Sequence, residues 1–250
     1  MDAAVGPGSS SPFYANEEVR PGLRVAFTAA SAGNLALHVG DEPEAVRDNR
    51  RRLERAMGIT ASSLRFMSQT HSDRIAVVGS GGVTAAPDAD GMVSPRGADP
   101  LAVLVADCVP IVLADAGIAE GGTGATAVVH AGRAGVSNGV VANAVRVLQS
   151  QGATDLAAWI GPSVCGSCYE VPEAMMLGIA RDIPAAASRT PSGTTALDLP
   201  AAVRRQLALS GVMVGEVHGA GSLCTLENPA LFSHRREPGA GRIAGLVWRT

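Results

Sequence analysis

Apolar residues recur along this chain in two rhythms. Short continuous or alternating runs at 23–28, 64–68, 75–78, 101–106, 111–114, 126–130, 157–160, 213–218 and 243–248 predict β-strands. Longer stretches repeat near every fourth residue and predict helices at 42–57, 136–148, 173–180 and 201–209. In the first helix Asp41, Pro43 and Glu44 form a start signal and Gly58 a stop. Val46, Leu53 and Met57 share one face there, so Asn49 and Arg50, which fall between them, point inward. The second carries Val140, Val141, Ala144, Val145 and Leu148 on its apolar side. Segments 79–90 and 183–195 read as loops, and Pro110 predicts a break in the ladder over 107–110. Strands interleaved with helices indicate a mixed α/β fold.

Composition narrows this picture. Residues 1–20, rich in Gly, Ser and Pro near their start, read as a flexible N-terminal arm, and 21–250 as one catalytic domain. Hydrophobic residues make up 46% of the chain but aromatic residues only 3%, so the core is packed by Val, Leu, Ile and Ala. A net charge of −3 provides no field for a polyanionic strand, which argues against nucleic acid as a partner. Asp107 and Asp115 interrupt the longest apolar tract, which argues against a membrane span. Residues 1–12 lack the basic start and apolar stretch of a secretory signal, and four cysteines are too few for a disulfide scaffold at this length. A soluble cytoplasmic protein with reduced thiols is expected.

Three side chains stand out because each ends or interrupts an apolar strand: His71, Cys108 and His130. Two imidazoles and a thiolate match a catalytic zinc arrangement that leaves a fourth position for water or substrate. The same atoms also suit a cysteine nucleophile, Cys108, with His130 as its base. Taken singly, Cys108 reads as a small buried hydrophobe and His130 as a hydrogen-bonded core residue. Cys165 and Cys168 resemble half of a redox or zinc site, but no second pair completes it, and they read as structural. Asn49 and Arg50 are candidate hydroxyl or anion ligands, and Arg235, Arg236 and Arg242 form a basic patch able to grip phosphate. Asp107 reads as a turn cap; His218 and His234 read as ordinary.

Several strings sharpen the reading: NLALHVG at 34–40, DNR at 48–50, QTH at 69–71, Asp90–Gly91, ADCVP at 106–110 and VHAG at 129–132. WIGPS at 159–163, CYEV at 168–171, FSHRRE at 232–237 and GRIAGLVW at 241–248 continue the series. Taken together, from about Asn34 to Trp248, the chain resembles the YfiH type of laccase-domain proteins, the polyphenol oxidase-like or purine nucleoside phosphorylase-like family. That resemblance implies a single four-layer α/β/β/α domain with mixed sheets and a zinc ion held by His71, Cys108 and His130. It implies phosphorolysis of adenosine, inosine and methylthioadenosine, with some adenosine deamination. Cys108 and His130 would be catalytic, and Asn34, Arg50 and Arg133 would bind purine nucleoside and phosphate in a monomer or homodimer. Two departures bear on this: Arg133, Ala134 and Gly135 stand where the family has Trp, Arg and Gly after VHAG, and His234 where Tyr is usual. The alternatives are a metal-free cysteine hydrolase acting on a substrate such as a cell-wall precursor, a copper-dependent polyphenol oxidase, and a zinc-stabilised binding protein. Copper oxidation is disfavoured, because five histidines are too few for an added oxygen-reducing cluster.

Overall fold

A computed structural model describes residues 11–79, 85–219 and 221–250. In chain order its strands are β1 (Phe13–Arg20), β2 (Leu23–Thr28), β3 (Ile75–Val77), β4 (Gly91–Ser94), β5 (Leu101–Val105) and β6 (Val109–Ala114). These are followed by β7 (Thr126–Ala131), β8 (Ala157–Ile160), β9 (Ala187–Arg189), β10 (Thr195–Leu197), β11 (Met213–Gly215) and β12 (Ile243–Arg249). The helices are α1 (Pro43–Met57), α2 (Arg133–Asn138), α3 (Val140–Ser150), α4 (Glu173–Ala180) and α5 (Leu199–Leu209). One sheet has the order β1-β2-β12-β5 and is antiparallel throughout. The larger runs β11-β8-β6-β7-β4-β3 and is mixed, with parallel pairs at both edges. A two-stranded ribbon, β9 with β10, stands apart.

Successive side chains of a strand point to opposite faces, and here both faces are apolar. In β5, Leu101, Val103 and Val105 join one buried cluster while Ala102 and Leu104 join another. In β7, Ala127, Val129 and Ala131 pack with the α3 residues Val140, Val141, Ala144, Val145 and Leu148, whereas Val128 faces the opposite way. Three buried clusters result. One joins the larger sheet to the helices after it, one gathers side chains of both sheets, and one joins the smaller sheet to Leu53 and Met57 of α1. This is the burial that a mixed α/β fold with apolar side chains on both faces of its sheets requires.

Several elements differ from the sequence pattern for identifiable reasons. Residues 13–20 form edge strand β1, antiparallel to β2, and are not part of an arm; the polar Asn16, Glu17, Glu18 and Arg20 leave this edge strand without a continuous or alternating apolar run. Residues 1–10 lie outside the described residues. Residues 64–68 make only isolated bridges, at Arg65 and Ser68. The 136–148 helix is divided at Gly139, whose φ of 86° favours glycine, into α2 and α3. Helix α1 is capped at Glu42 without a side-chain bond, so Asp41 does not close its first turn. Within the 183–195 stretch lie a short 3-10 turn and β9, and β10 begins at its last residue. Pro110 sits inside β6, where its carbonyl accepts Gly161 N–H; the same edge would have carried its missing donor, just past the end of β8, so no rung is lost. No helix among the described residues is long and apolar enough to cross a membrane.

Asp115, at the end of β6, is fully buried. Its carboxylate accepts N–H groups of Thr123 (2.7 Å), Thr154 (3.0 Å) and Asp155 (2.8 Å) and the Thr123 hydroxyl (2.7 Å). Burial would raise its pKa, but these donors outweigh it and hold the carboxyl below its ordinary value. A carboxylate depressed in the folded state contributes stability that is present above its unfolded pKa, about 4, and is lost as pH falls through the folded value. Asp115→Asn is therefore expected to cost about 1–3 kcal/mol at pH 7, measured by urea unfolding, with the gap to wild type narrowing below about pH 4. A gap that stays constant to pH 3 would show that the charge contributes nothing.

Candidate metal centre

The antiparallel register of β4 and β7 pairs Gly91 with Val129, and one rung further it sets Asp90 opposite His130. His130 N–H donates to the Asp90 carbonyl at 2.7 Å, and the His130 Nδ1 to Asp90 Oδ1 distance is 2.8 Å. A carboxylate accepts only, so Nδ1 carries a proton and Nε2 is the ring atom left to face a ligand. The same carboxylate accepts the N–H groups of Thr70 (3.2 Å), His71 (3.0 Å) and Ser72 (2.6 Å) and the Ser72 hydroxyl (2.7 Å). It thereby holds His71 in the left-handed region, at φ 60°.

On the other side of β7, β6 pairs Val109 with Ala131, and its next rung brings Cys108 to Gly132. Cys108 Sγ lies 3.8 Å from His71 Nε2, and the His71 and His130 rings meet edge to face at 4.7 Å. One ligand atom from each of His71, Cys108 and His130 falls within 4.8 Å of the others. Gly132 explains why they can meet: a Cβ there would stand 2.7 Å from His71 Cδ2 and 3.1 Å from Cys108 Sγ.

Burial would raise the Cys108 thiol, but the His130 charge and hydrogen bonds from both imidazoles outweigh it and bring it down to about 6. Burial would lower His130, yet the Cys108 thiolate and Asp90 push it up to about 9. Asp90 itself is held well below the carboxylate range: burial opposes this, and His130 and Ser72 overcome it. A thiolate with two imidazoles is a borderline-soft donor set. Tetrahedral bonds of about 2.0 Å to nitrogen and about 2.3 Å to sulfur place such donors about 3.3–3.5 Å apart, near the 3.8 Å between Cys108 Sγ and His71 Nε2, so the residues fit a zinc-like ion. Among the described residues no fourth His, Cys, Asp or Glu joins this group, which leaves a coordination position open.

That position faces a cavity of about 530 Å3. Leu104, Val105, Val164 and Leu199 give it apolar walls; His38, His234, Arg235 and Arg242 give it a polar side on which the two guanidinium groups carry positive charge. Arg235 lies over the Tyr169 ring at 4.9 Å. Arg242 and Arg235 thus belong to the wall, while Arg236 donates to the carbonyls of Thr225, Leu226, Asn228 and Leu231 and serves the loop. His38 and His234, neither of which the sequence marks as a site residue, are wall residues; the NLALHVG and FSHRRE strings that hold them are the signal the sequence offers. His218 lies instead beside Glu17 and Glu216.

Asn34 and Arg50 do not line the cavity. The Asn34 amide is bonded to Ala36 and to Arg242 N–H, and Asn49 donates to the Asn34 carbonyl. Arg50 donates twice to the Leu35 carbonyl and stacks 3.7 Å from the Phe66 ring. Both shape the loop that carries His38. Arg133 opens α2, near Tyr169, and does not line the cavity. Asp107, at φ 86°, accepts the Thr225 hydroxyl (2.6 Å) and Arg235 N–H (2.7 Å), so it joins three loops and does more than cap a turn.

Residues 24–250 match the family described as multi-copper polyphenol oxidoreductase laccase. The chain belongs to this laccase-domain family. Family members similar to it include a purine nucleoside phosphorylase of Mycobacterium tuberculosis (strain ATCC 25618 / H37Rv), 43% identical over 86% of this chain and 84% of that one. Another, a purine nucleoside phosphorylase of Corynebacterium glutamicum, is 38% identical over 90% of this chain and 94% of the relative. Among solved structures, a Neisseria meningitidis protein, NMB0706, superposes with a TM-score of 0.80 at 29% identity, covering 95% of this chain and 99% of that one. The Bacillus licheniformis protein YfiH gives 0.78 at 26% identity over 91% and 93%. The laccase domain of this chain carries a His-Cys-His group able to hold a metal ion.

If Asp90 orients His130, Asp90→Asn is expected to weaken zinc binding by about 10- to 100-fold in a chelator competition, since an outer carboxylate acts through its ligand. Gly132→Val is expected to weaken it as well, by filling the space between His71 and Cys108. Unchanged affinity in both variants would mean that the ion binds elsewhere.

Proposed function

We propose that this laccase-domain protein is a zinc-dependent purine nucleoside phosphorylase that takes adenosine, inosine or methylthioadenosine with inorganic phosphate. The observation that carries the reading is the open His71, Cys108 and His130 group beside a cavity with Arg235 and Arg242 on its wall. The names of relatives up to 43% identical support the same reaction class. A cytoplasmic setting fits the four free thiols.

In phosphorolysis a phosphate oxygen bonds to the anomeric carbon as the bond to the purine nitrogen breaks, through an oxocarbenium-like transition state. A zinc ion at the three ligands would supply Lewis-acid polarisation of a substrate oxygen. The chain's own groups do the rest. Arg242 and Arg235 hold the phosphate dianion, replacing the arginine that Ala134 lacks; Arg133, near Tyr169, adds positive charge behind them. Leu104, Val105 and Val164 exclude water from the apolar side and favour phosphate over hydrolysis. Tyr169, already stacked under Arg235, offers a face for a purine. Adenosine deamination, as a second activity, would use the same open position.

Inosine with phosphate is expected to yield hypoxanthine and ribose 1-phosphate by chromatography, and Cys108→Ala to lower kcat/KM by about 100-fold or more. Absence of base release at every phosphate concentration would defeat the proposal. Arg242→Ala is expected to raise the KM for phosphate more than that for the nucleoside. A second reading, a cysteine hydrolase, is favoured by the lowered Cys108 thiol beside two imidazoles. It requires activity that survives chelators and is abolished by iodoacetamide.

A further inference from the structure

A second cluster lies outside the cavity. Sequence spacing leaves Cys165 and Cys168 as half a site, but the fold completes the set: Cys165, Cys168, Cys224 and Glu227 each offer a ligand atom, all within 4.8 Å of one another. Two loops bring them together. Ser163 N–H donates to the Leu223 carbonyl and Thr225 N–H to Ser163, an isolated parallel bridge that sets Cys224 beside the turn at 165–168. That turn is tightened by the Cys165 carbonyl, which accepts N–H groups of both Cys168 and Tyr169 at 3.0 Å.

The contacts within the cluster have the character of a ligand shell. Cys165 N–H donates to Cys224 Sγ at 3.4 Å, which holds that sulfur toward the turn. Cys168 Sγ lies 3.4 Å from Glu227 Oε1, and Ser222 Oγ donates to Glu227 Oε2 at 3.1 Å, fixing the carboxylate. Nearby, the Arg236 guanidinium is engaged by backbone carbonyls. A disulfide would use two sulfurs and leave the third thiol and the carboxylate without a role; one soft divalent cation uses all four.

We propose that Cys165, Cys168, Cys224 and Glu227 form a second, structural metal site that takes a zinc-like divalent cation. Four protein donors close the coordination sphere, unlike the three at the cavity, so the site braces the fold and leaves no position for substrate. What it braces is the cavity wall. Val164 and Tyr169, which flank the Cys165–Cys168 turn, both line the cavity, and Thr225, next to Cys224, holds Asp107 beside Cys108.

The test uses Cys108→Ala, which removes the thiolate from the cavity group and leaves the second cluster intact. Cobalt(II) added to this metal-stripped, reduced protein is expected to bind one equivalent with a thiolate-to-cobalt charge-transfer band, and Cys168→Ser in the same background to lose it. No such band in Cys108→Ala would overturn the proposal. So would a chain, purified reduced and anaerobically, whose mass is lower by the two hydrogens of a disulfide. Should Cys168→Ser fail to fold, Glu227→Gln keeps all three sulfurs. Outer-shell changes alone lower affinity about 10- to 100-fold, so Glu227→Gln is expected to weaken cobalt binding by at least about 100-fold in chelator competition. Unchanged affinity there would refute a four-donor site. These readouts do not depend on any phosphorolytic activity.

Discussion

The carboxylate of Asp90 is the constraint on which the centre depends. Fully buried, it accepts from Thr70, His71, Ser72 and His130, donors on two separate stretches of chain. Left-handed backbone at a non-glycine residue costs about 1–3 kcal/mol, so His71 stays at φ 60° only because the surrounding bonds determine it. One anion therefore sets the direction of both imidazoles, by a ring bond in one case and by a backbone turn in the other. A buried carboxylate without these donors would be expensive to ionise; with them it stays charged, and that charge keeps the proton on Nδ1 of His130.

How far the sequence discloses this depends on the kind of information each feature needs. Strands such as β5, β7 and β12 are legible because their apolar runs are buried on both faces, and α4 keeps the bounds that the sequence predicts. Edge strand β1 and the β9–β10 ribbon are not, since half their residues face outward and pairing partners supply what pattern does not. His71, Cys108 and His130 stand out from their places at strand ends. Their convergence does not, because it follows from two registers, β4 with β7 and β6 with β7, that no local string encodes. Asp90 and Gly132 carry their meaning only once those rungs are laid side by side.

Two other candidates show the converse. Arg50, singled out by residue type, and Asn34, by the family resemblance, both bond to backbone of the 34–36 loop. Helical periodicity points Arg50 inward correctly; it cannot say whether a carbonyl or a cavity waits there. Arg242 and Arg235, by contrast, come from a polar stretch with no period at all, and reach the cavity because Asp107 and Asn34 fix the backbone at 235 and 242.

Asp107 does for the far wall what Asp90 does for the near one. Its φ of 86° turns the chain between β5 and β6, its carboxylate binds Thr225 and Arg235, and its carbonyl accepts Val164 N–H. Cys108 follows directly, so the position of the sulfur is set from both sides by buried or half-buried carboxylates that do not themselves join the ligand group. The loops held by Asp107 are those that carry Cys165, Cys168, Cys224 and Glu227. Asp107 therefore links the loops of the thiol cluster to the turn that presents Cys108, and a cation bound in that cluster would act on the cavity through this one residue. Mechanical coupling of this kind needs no contact between the two clusters, only that Asp107 has a single backbone conformation compatible with both loops.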